Sequence, residues 1–287
     1  VTIQPNIPQE VKLSPNSFRH IASKLFQISN KAVGLKPDIV FWPETAILGY
    51  LPYHREIAQE IRSFNRKNYV YLISGFPHYT GFKEIFNSAY LFSPQGRLVS
   101  RYDKQHLVPF GEYLPFRPIL RPLLFGIELL DDEYSFGKIK EPFVTPFGNI
   151  GMLICFESTF PYMVRDRINH GAQFLVCLTN DAWFFDYPAP YQHINAAIMR
   201  AVENRTYFIQ AANTGVSAII DPYGRVVVSR GVGEEGAMFG RIGIRDKNEV
   251  SFYSRYGEWV VGACWVVCIL YLVVWGIRRK LNTKYSH

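Results

Sequence analysis

The chain of 287 residues has no C-x-x-C pair and no framework of spaced cysteines. Its four cysteines, Cys155, Cys177, Cys264 and Cys268, therefore supply neither a zinc knuckle nor a disulfide-stapled scaffold. The histidines do not cluster, and neither H-E-x-x-H nor H-x-H occurs. No metal and no cofactor is expected. Basic residues are in excess, for a net charge of +7, yet they form no block. Nucleic acid is not an expected partner, whereas a scattered basic balance suits an anionic membrane surface. No internal repeat or low-complexity tract is present. One G-x-G-x-x-G match, Gly231 to Gly236, precedes a strand-like stretch instead of a helix, and its two glutamates would repel a pyrophosphate.

What is abundant is apolar sequence near the C-terminus. Residues 259–277, WVVGACWVVCILYLVVWGI, run 19 residues without a charge. As a helix they span about 28 Å, close to the hydrocarbon thickness of a bilayer. Trp259 and Trp275 stand near the two ends, where aromatic belts form, and Arg278-Arg279-Lys280 follows. By the positive-inside rule residues 278–287 are a cytoplasmic tail, and the domain before the helix lies on the other side. The chain begins at Val1 with no signal peptide. A domain outside the cytoplasm needs an upstream export signal or membrane helix, so the chain is expected to be a fragment. The expected division is a domain over 1–247, a linker over 248–258, the membrane helix and the tail.

The length is ample for a sizeable buried core. Strand and helix patterns alternate along it. VTIQP reads as a strand. A helix comes next, with Ser14 as N-cap, Pro15 at its first position and Gly34 as its stop. Residues 38–42 read as a buried strand, 54–67 as an amphipathic helix and 69–76 as a strand. Pro94-Gln95-Gly96 turns one hairpin and Phe147-Gly148-Asn149 a second. A helix near 160–169, a strand at 173–180, a helix at 191–205 and three more strands complete the pattern. Alternation with hairpins predicts an α/β layered sandwich with mixed sheets. Residues 103–141, rich in Pro, Phe and Leu, read as a functional loop or lid.

Three segments can carry chemistry. FGNIGMLICFESTFP presents Cys155 where an apolar strand gives way to a helix, the geometry of a nucleophile elbow; a helix start also favours a thiolate. A buried structural thiol at a strand end is the other reading. DIVFWPETA puts Glu44 just past a buried strand, among Trp42, Pro43 and apolar neighbours that should raise its pKa, as suits a general base. RYDKQHLVPFGEYLP puts Lys104 just past another strand, where it could donate to a developing oxyanion. Each also has an ordinary use, a helix-start glutamate and a solvated lysine. His193 with Asn213 could instead complete a Cys-His-Asn set with Cys155, but Glu44 and Lys104 would then have no role. Arg200, Glu203 and Asn204 read as a buried structural network on one helix.

Taken together, these segments resemble the nitrilase, or carbon–nitrogen hydrolase, superfamily, whose triad is Glu, Lys and Cys in that chain order. The further stretches LTNDAWF and YQHINAAIMRAVENRTYFIQAANTGVSAIIDPYGR, with the apolar helix after them, resemble its membrane-embedded branch, the apolipoprotein N-acyltransferases, over residues 1–277. The resemblance implies a four-layer αββα sandwich followed by one transmembrane helix. It implies Glu44 as general base, Lys104 as the lysine that stabilises tetrahedral intermediates and Cys155 as nucleophile. Glu112 matches a second glutamate near the triad, and Glu157 the acidic residue of the C-[YF]-E motif. Phe156 stands where many members have tyrosine, so a hydroxyl role is lost there while its backbone N–H can still serve an oxyanion hole. Phe185 stands where glycine is usual.

The resemblance further implies acyl transfer from a phospholipid donor, expected to be phosphatidylethanolamine, through a Cys155 thioester to the α-amine of a diacylglyceryl apolipoprotein. The expected setting is the bacterial inner membrane, with the catalytic domain on the periplasmic side, as a monomer. The lid would dip into the leaflet, with Arg117 and Arg121 at lipid phosphates. The alternatives are a membrane-anchored amidase or nitrile hydrolase of the same superfamily and a catalytically dead binding module. The apolar segments argue against the first and the complete triad against the second.

Overall fold

The computed structural model describes residues 1–14, 17–51, 54–81, 84–118, 133–183 and 188–284. Two six-stranded mixed sheets lie face to face. The first holds, in spatial order, β12 (Gly236–Met238), β1 (Thr2–Gln4), β2 (Ile39–Phe41), β3 (Tyr71–Tyr79), β4 (Ile85–Phe92) and β5 (Leu98–Asp103). The second runs β11 (Val226–Arg230), β10 (Ser217–Ile220), β9 (Phe208–Ala212), β8 (Phe174–Thr179), β7 (Gly148–Ile154) and β6 (Phe143–Thr145). Both hairpins form as the turn residues predict, β4 with β5 and β6 with β7. The central pairs β1–β2, β2–β3, β7–β8 and β8–β9 are parallel.

Side-chain alternation along the strands builds three cores from these sheets. In β2, Ile39 and Phe41 point between the sheets, while Val40 points outward. In β8, Phe174, Val176 and Leu178 face the other sheet, while Leu175 and Cys177 face away. The outward side of the first sheet is covered by α2 (Phe18–Ala32) and α3 (Arg55–Asn68) through Ile21, Leu25, Ile57 and Ile61. That of the second is covered by α4 (Pro161–Asn169) and α5 (Pro188–Asn204) through Val164, Ile168, Ile194 and Ala197. The result is the layered α/β sandwich with mixed sheets that the pattern predicts, in the four-layer αββα form that the resemblance implies.

Several local expectations change. Ser14 does not cap the long helix. It ends a short helix, α1 (Gln9–Leu13), that the sequence pattern did not reveal, and Ser17 precedes α2. Five residues are too few for a hydrophobic period to show. Pro15 lies outside the described residues. Gly34 falls within a 3-10 turn, Val33–Leu35, and the left-handed residue that ends it is Lys36. A short helix, α6 (Phe252–Tyr256), leads to α7 (Trp259–Lys284). Within α7, Trp259–Arg279 has no buried residue and is long and apolar enough to cross a membrane. Of the lid, 119–132, including Arg121, lie outside the described residues, as does Phe185; Arg117 pairs with Glu133 at 3.4 Å.

Candidate active site

Three strand ends from two sheets converge. β2 leads into Trp42-Pro43-Glu44, β5 into Lys104 and β7 into Cys155. The bend after β2 lies tight against β3. The Gly75 N–H donates to Pro43 O at 3.1 Å and Gly75 O accepts from Ala46 N at 2.9 Å. A Cβ on Gly75 would sit 2.7 Å from Glu44 Cα, so only glycine admits the bend there. Thr45 completes it with a left-handed φ of 39°.

Glu44 is buried, but its surroundings are not the apolar ones expected from sequence. Oε1 accepts from Asn87 Nδ2 at 2.7 Å and meets Lys104 Nζ at 3.3 Å, and Oε2 accepts from the Asn180 backbone N–H at 2.8 Å. Lys104 is buried and also donates to Glu112 Oε1 at 2.9 Å. Glu112 is fixed in turn by Asn87 Nδ2 and the Val108 N–H. Burial works to lower the Lys104 pKa, but Glu44, the Cys155 sulfur and Glu112 outweigh it and hold the ammonium well above its ordinary value. It is a fixed cation between two carboxylates.

Cys155 is half-buried and has a left-handed φ of 50°. This is costly for a residue with a Cβ and marks a constrained turn. From β7 the chain runs not into an α-helix but into a 3-10 stretch, Cys155–Thr159, and α4 starts only at Pro161. The expected thiolate is also corrected. Burial first, and then the Glu44 carboxylate, push the Cys155 thiol well above its usual range, against the pull of Lys104. The resting group is a neutral thiol facing a carboxylate that can accept its proton.

Glu157 is fully buried beneath the turn. It accepts from Tyr102 Oη at 2.8 Å and from the backbone N–H groups of Gln105 at 2.6 Å, His106 at 3.0 Å and Ile154 at 2.8 Å. It thereby ties the ends of β5 and β7 together. Burial raises its pKa, opposed by these hydrogen bonds and by Arg167. Phe156 is partly exposed beside Phe160, with ring centroids 5.0 Å apart.

The Cys-His-Asn alternative is not assembled. His193 Nε2 meets the Cys155 carbonyl and Ser158 Oγ, while Asn213 bonds Ile7 and Asn180. Arg200 pairs with Glu203, and Asn204 bonds Arg200 O and Ser254 Oγ, the structural network expected. Sequence reasoning missed Lys12, Asn87, Asn180 and Asp181. Asn180 and Asp181 stand at the end of β8, the same strand-end position that drew attention to the triad. Lys12 and Asn87 carry no local signal. Among the described residues no cluster of His, Cys, Asp or Glu could hold a metal ion.

The carbon-nitrogen hydrolase family model matches residues 2–247. The chain is 37% identical to an apolipoprotein N-acyltransferase of Geobacter metallireducens over 97% of its own length and 53% of that protein. It is 38% identical to one from Aquifex aeolicus over 82% of its length and 52% of that protein. It thus spans about half the length of these curated relatives. Among solved structures, a Saccharomyces cerevisiae member of branch 10 of the nitrilase superfamily superposes with a TM-score of 0.63 at 21% identity, covering 82% of this chain and 86% of that one. An amidase from Nesterenkonia sp. AN1, caught after Michael addition of acrylamide at its active-site cysteine, gives 0.58 at 20% identity over 76% and 85%. These likenesses establish a common fold, and the family match over nearly the whole sandwich means that the chain belongs to the carbon-nitrogen hydrolase family.

Proposed function

We propose that this chain is the acyl-transferring part of an apolipoprotein N-acyltransferase. The observation that carries the proposal is the contact of Glu44 with Lys104, 3.3 Å apart, both acting on the Cys155 sulfur, in a chain 37% and 38% identical to two relatives of that name. Glu44 accepts the thiol proton of Cys155. The thiolate attacks an ester carbonyl of a phospholipid, here phosphatidylethanolamine. Lys104 and the Phe156 backbone N–H hold the oxyanion. As the tetrahedral centre collapses, the C–O bond breaks, and Glu44 returns its proton to the departing lysophospholipid. The α-amine of an S-diacylglyceryl cysteine then attacks the thioester. Its proton passes through Glu44 to the Cys155 sulfur as the C–S bond breaks. Glu112 supports Lys104, and Glu157 holds the turn. Water is kept out, since a thioester open to it would make the enzyme a lipase.

The proposed division is a catalytic domain over 1–247, a connection over 248–258, a membrane span over 259–277 and a tail over 278–287. The exposed apolar helix supports anchoring in a bacterial inner membrane, with the arginines after it in the cytoplasm and the catalytic domain, as a monomer, on the periplasmic side.

The test is intact-protein mass spectrometry of the full-length gene product in bilayer nanodiscs, incubated with phosphatidylethanolamine, beside Cys155→Ala. A hydroxylamine-labile acyl adduct on wild type alone, discharged by a diacylated lipopeptide, is the expected result. A folded protein without any adduct would overturn the reading and favour an amide or nitrile hydrolase.

A further inference from the structure

Beneath the Cys155 turn lies a polar cluster that the proposed acyl transfer does not use. His193, on α5, is buried with one ring nitrogen on each side of this cluster. Nδ1 faces Asp181 Oδ1 at 3.0 Å. Nε2 faces the backbone carbonyl of Cys155 at 3.0 Å and Ser158 Oγ at 2.8 Å. Thr179 donates its hydroxyl to the same Asp181 Oδ1 at 3.0 Å, and Ser158 donates to Cys155 O at 3.1 Å.

Counting donors fixes the protons. A backbone carbonyl only accepts, so Nε2 must carry hydrogen. Between Nδ1 and the carboxylate a second proton is needed, and imidazole is the stronger base of the two. With the Ser158 hydroxyl hydrogen on Cys155 O, and the Thr179 one on Asp181 Oδ1 at 3.0 Å in preference to Nδ1 at 3.4 Å, neither neutral tautomer of His193 satisfies both sides while Asp181 is ionised. We infer that His193 is an imidazolium clamped between the Asp181 carboxylate and the Cys155 carbonyl, a positioning residue that holds the nucleophile's left-handed turn. The groups that face it electrostatically agree. Burial opposes the charge, but Asp181, the Cys155 carbonyl and Glu44 together raise the His193 pKa.

The clamp has a mechanical purpose. Cys155 adopts φ 50° at a residue with a Cβ, and its carbonyl direction sets where Sγ points. Remove the Nε2 proton, and a ring lone pair meets the carbonyl oxygen at 3.0 Å. The turn is then left with the weaker Ser158 and Cys177 donors on that carbonyl, and Sγ leaves its alignment with Glu44 and Lys104. The inference rests on the proposed role of Cys155 as nucleophile.

The experiment separates the two nitrogens. In the full-length protein in nanodiscs, His193→Gln keeps an amide N–H at the reach of Nε2, His193→Asn keeps one at the reach of Nδ1, and Asp181→Asn removes the charge that holds the second proton. Two rates are read by intact mass: adduct formation of acrylamide at Cys155, and acylation by phosphatidylethanolamine. A misplaced reacting group costs about 100-fold. That loss is expected for His193→Asn and Asp181→Asn, with His193→Gln retaining most of the rate and losing any alkaline fall that wild type shows. Adding Asp181→Asn to His193→Gln is expected to cost nothing further. Equal rates for His193→Gln and His193→Asn, slow or fast, would overturn the clamp. If His193→Asn does not fold, Asp181→Asn decides by the same criterion, its wild-type rate overturning the clamp. A wild type that reacts with acrylamide in this pattern but never acylates leaves the clamp standing and removes the acyltransferase reading instead.

Discussion

Lys12 offers a quantitative test of how the site is held. It sits on α1, 3% exposed, with Nζ 3.3 Å from both Glu44 O and Thr45 Oγ1. Burial lowers its pKa from 10.5 to about 8, with the Glu44 charge opposing. Because the folded state gives up the proton more readily than the unfolded chain, the buried ammonium destabilises the fold. Below pH 8 both states are protonated and the full cost is present. Between pH 8 and 10.5 the unfolded chain binds more proton, so stability rises with pH; above 10.5 the difference vanishes. The gap corresponds to about 3 kcal/mol at pH 7 and about 1 kcal/mol at pH 10.

Lys12→Met removes the titration and also two hydrogen bonds. The loss of those bonds shifts its stability by a constant, which cancels when two pH values are compared. The melting temperature of wild type should therefore rise relative to Lys12→Met by roughly 4–8 °C between pH 7 and pH 10, the equivalent of about 2 kcal/mol in a domain of this size. Intrinsic tryptophan fluorescence during thermal scans of both proteins in the same nanodiscs measures it. Parallel melting curves across that pH range would refute the reasoning, because they would mean that Lys12 keeps an ordinary pKa and sits in water.

Other perturbations report on neighbouring features. Gly75→Ala puts a methyl group against the Glu44 bend; a stability loss of about 1–3 kcal/mol by thermal melt is expected, with slower adduct formation at Cys155. Glu157→Gln turns an acceptor of four donors into a group that must present an NH2 to some of them. It should cost about 3 kcal/mol or more, read by chemical denaturation. Val267→Arg, in the middle of α7, should oppose membrane insertion of that helix by about 3 kcal/mol, read as a lower inserted fraction in a translocon insertion assay.

The parts of this molecule legible in its sequence are those with a repeating period or a turn signature. Strands such as 38–42 and 173–180 stand out as apolar runs because both of their faces are covered, by a helix layer on one side and the partner sheet on the other. The proposed triad is legible because each member comes just after a strand, an apolar run before Glu44 and Cys155 and the hairpin strand RLVSRY before Lys104. Helix α1 is not, since it is shorter than two turns, and neither is the role of Lys12, because a lysine in QEVKLSP looks solvated until its burial is seen. The polarity around Glu44 is hidden for a similar reason. Trp42 and Pro43 are its neighbours in sequence, but Asn87 and Asn180 are its neighbours in space, 43 and 136 residues away. The thiolate expected of Cys155 fails because a five-residue 3-10 stretch provides little dipole, and burial beside Glu44 dominates.

Drawing the site from two sheets ties its geometry to their packing. Glu44 and Lys104 extend from β2 and β5 of the first sheet, and Cys155 from β7 of the second. Between them lies an apolar seam that includes Phe41, Ile73, Leu91, Met152, Ile154 and Val176. Polar links also cross near the site, among them the Asn180 N–H on Glu44, the Tyr102, Gln105 and His106 donors on Glu157, and Arg167 on Tyr102 and Gln105. A cavity in this seam should therefore act on chemistry as well as on stability. Met152→Ala removes a buried side chain whose backbone lies three residues from Cys155, and should cost about 2–5 kcal/mol. If the sheets settle toward the void, the Glu44-to-sulfur alignment shifts, and adduct formation at Cys155 slows although no catalytic group has been changed. Leu25→Ala, in the core between α2 and the outer face of the first sheet, should cost a similar stability and leave that rate nearly unchanged. Equal slowing by both variants would mean that the site follows global stability alone and not the seam.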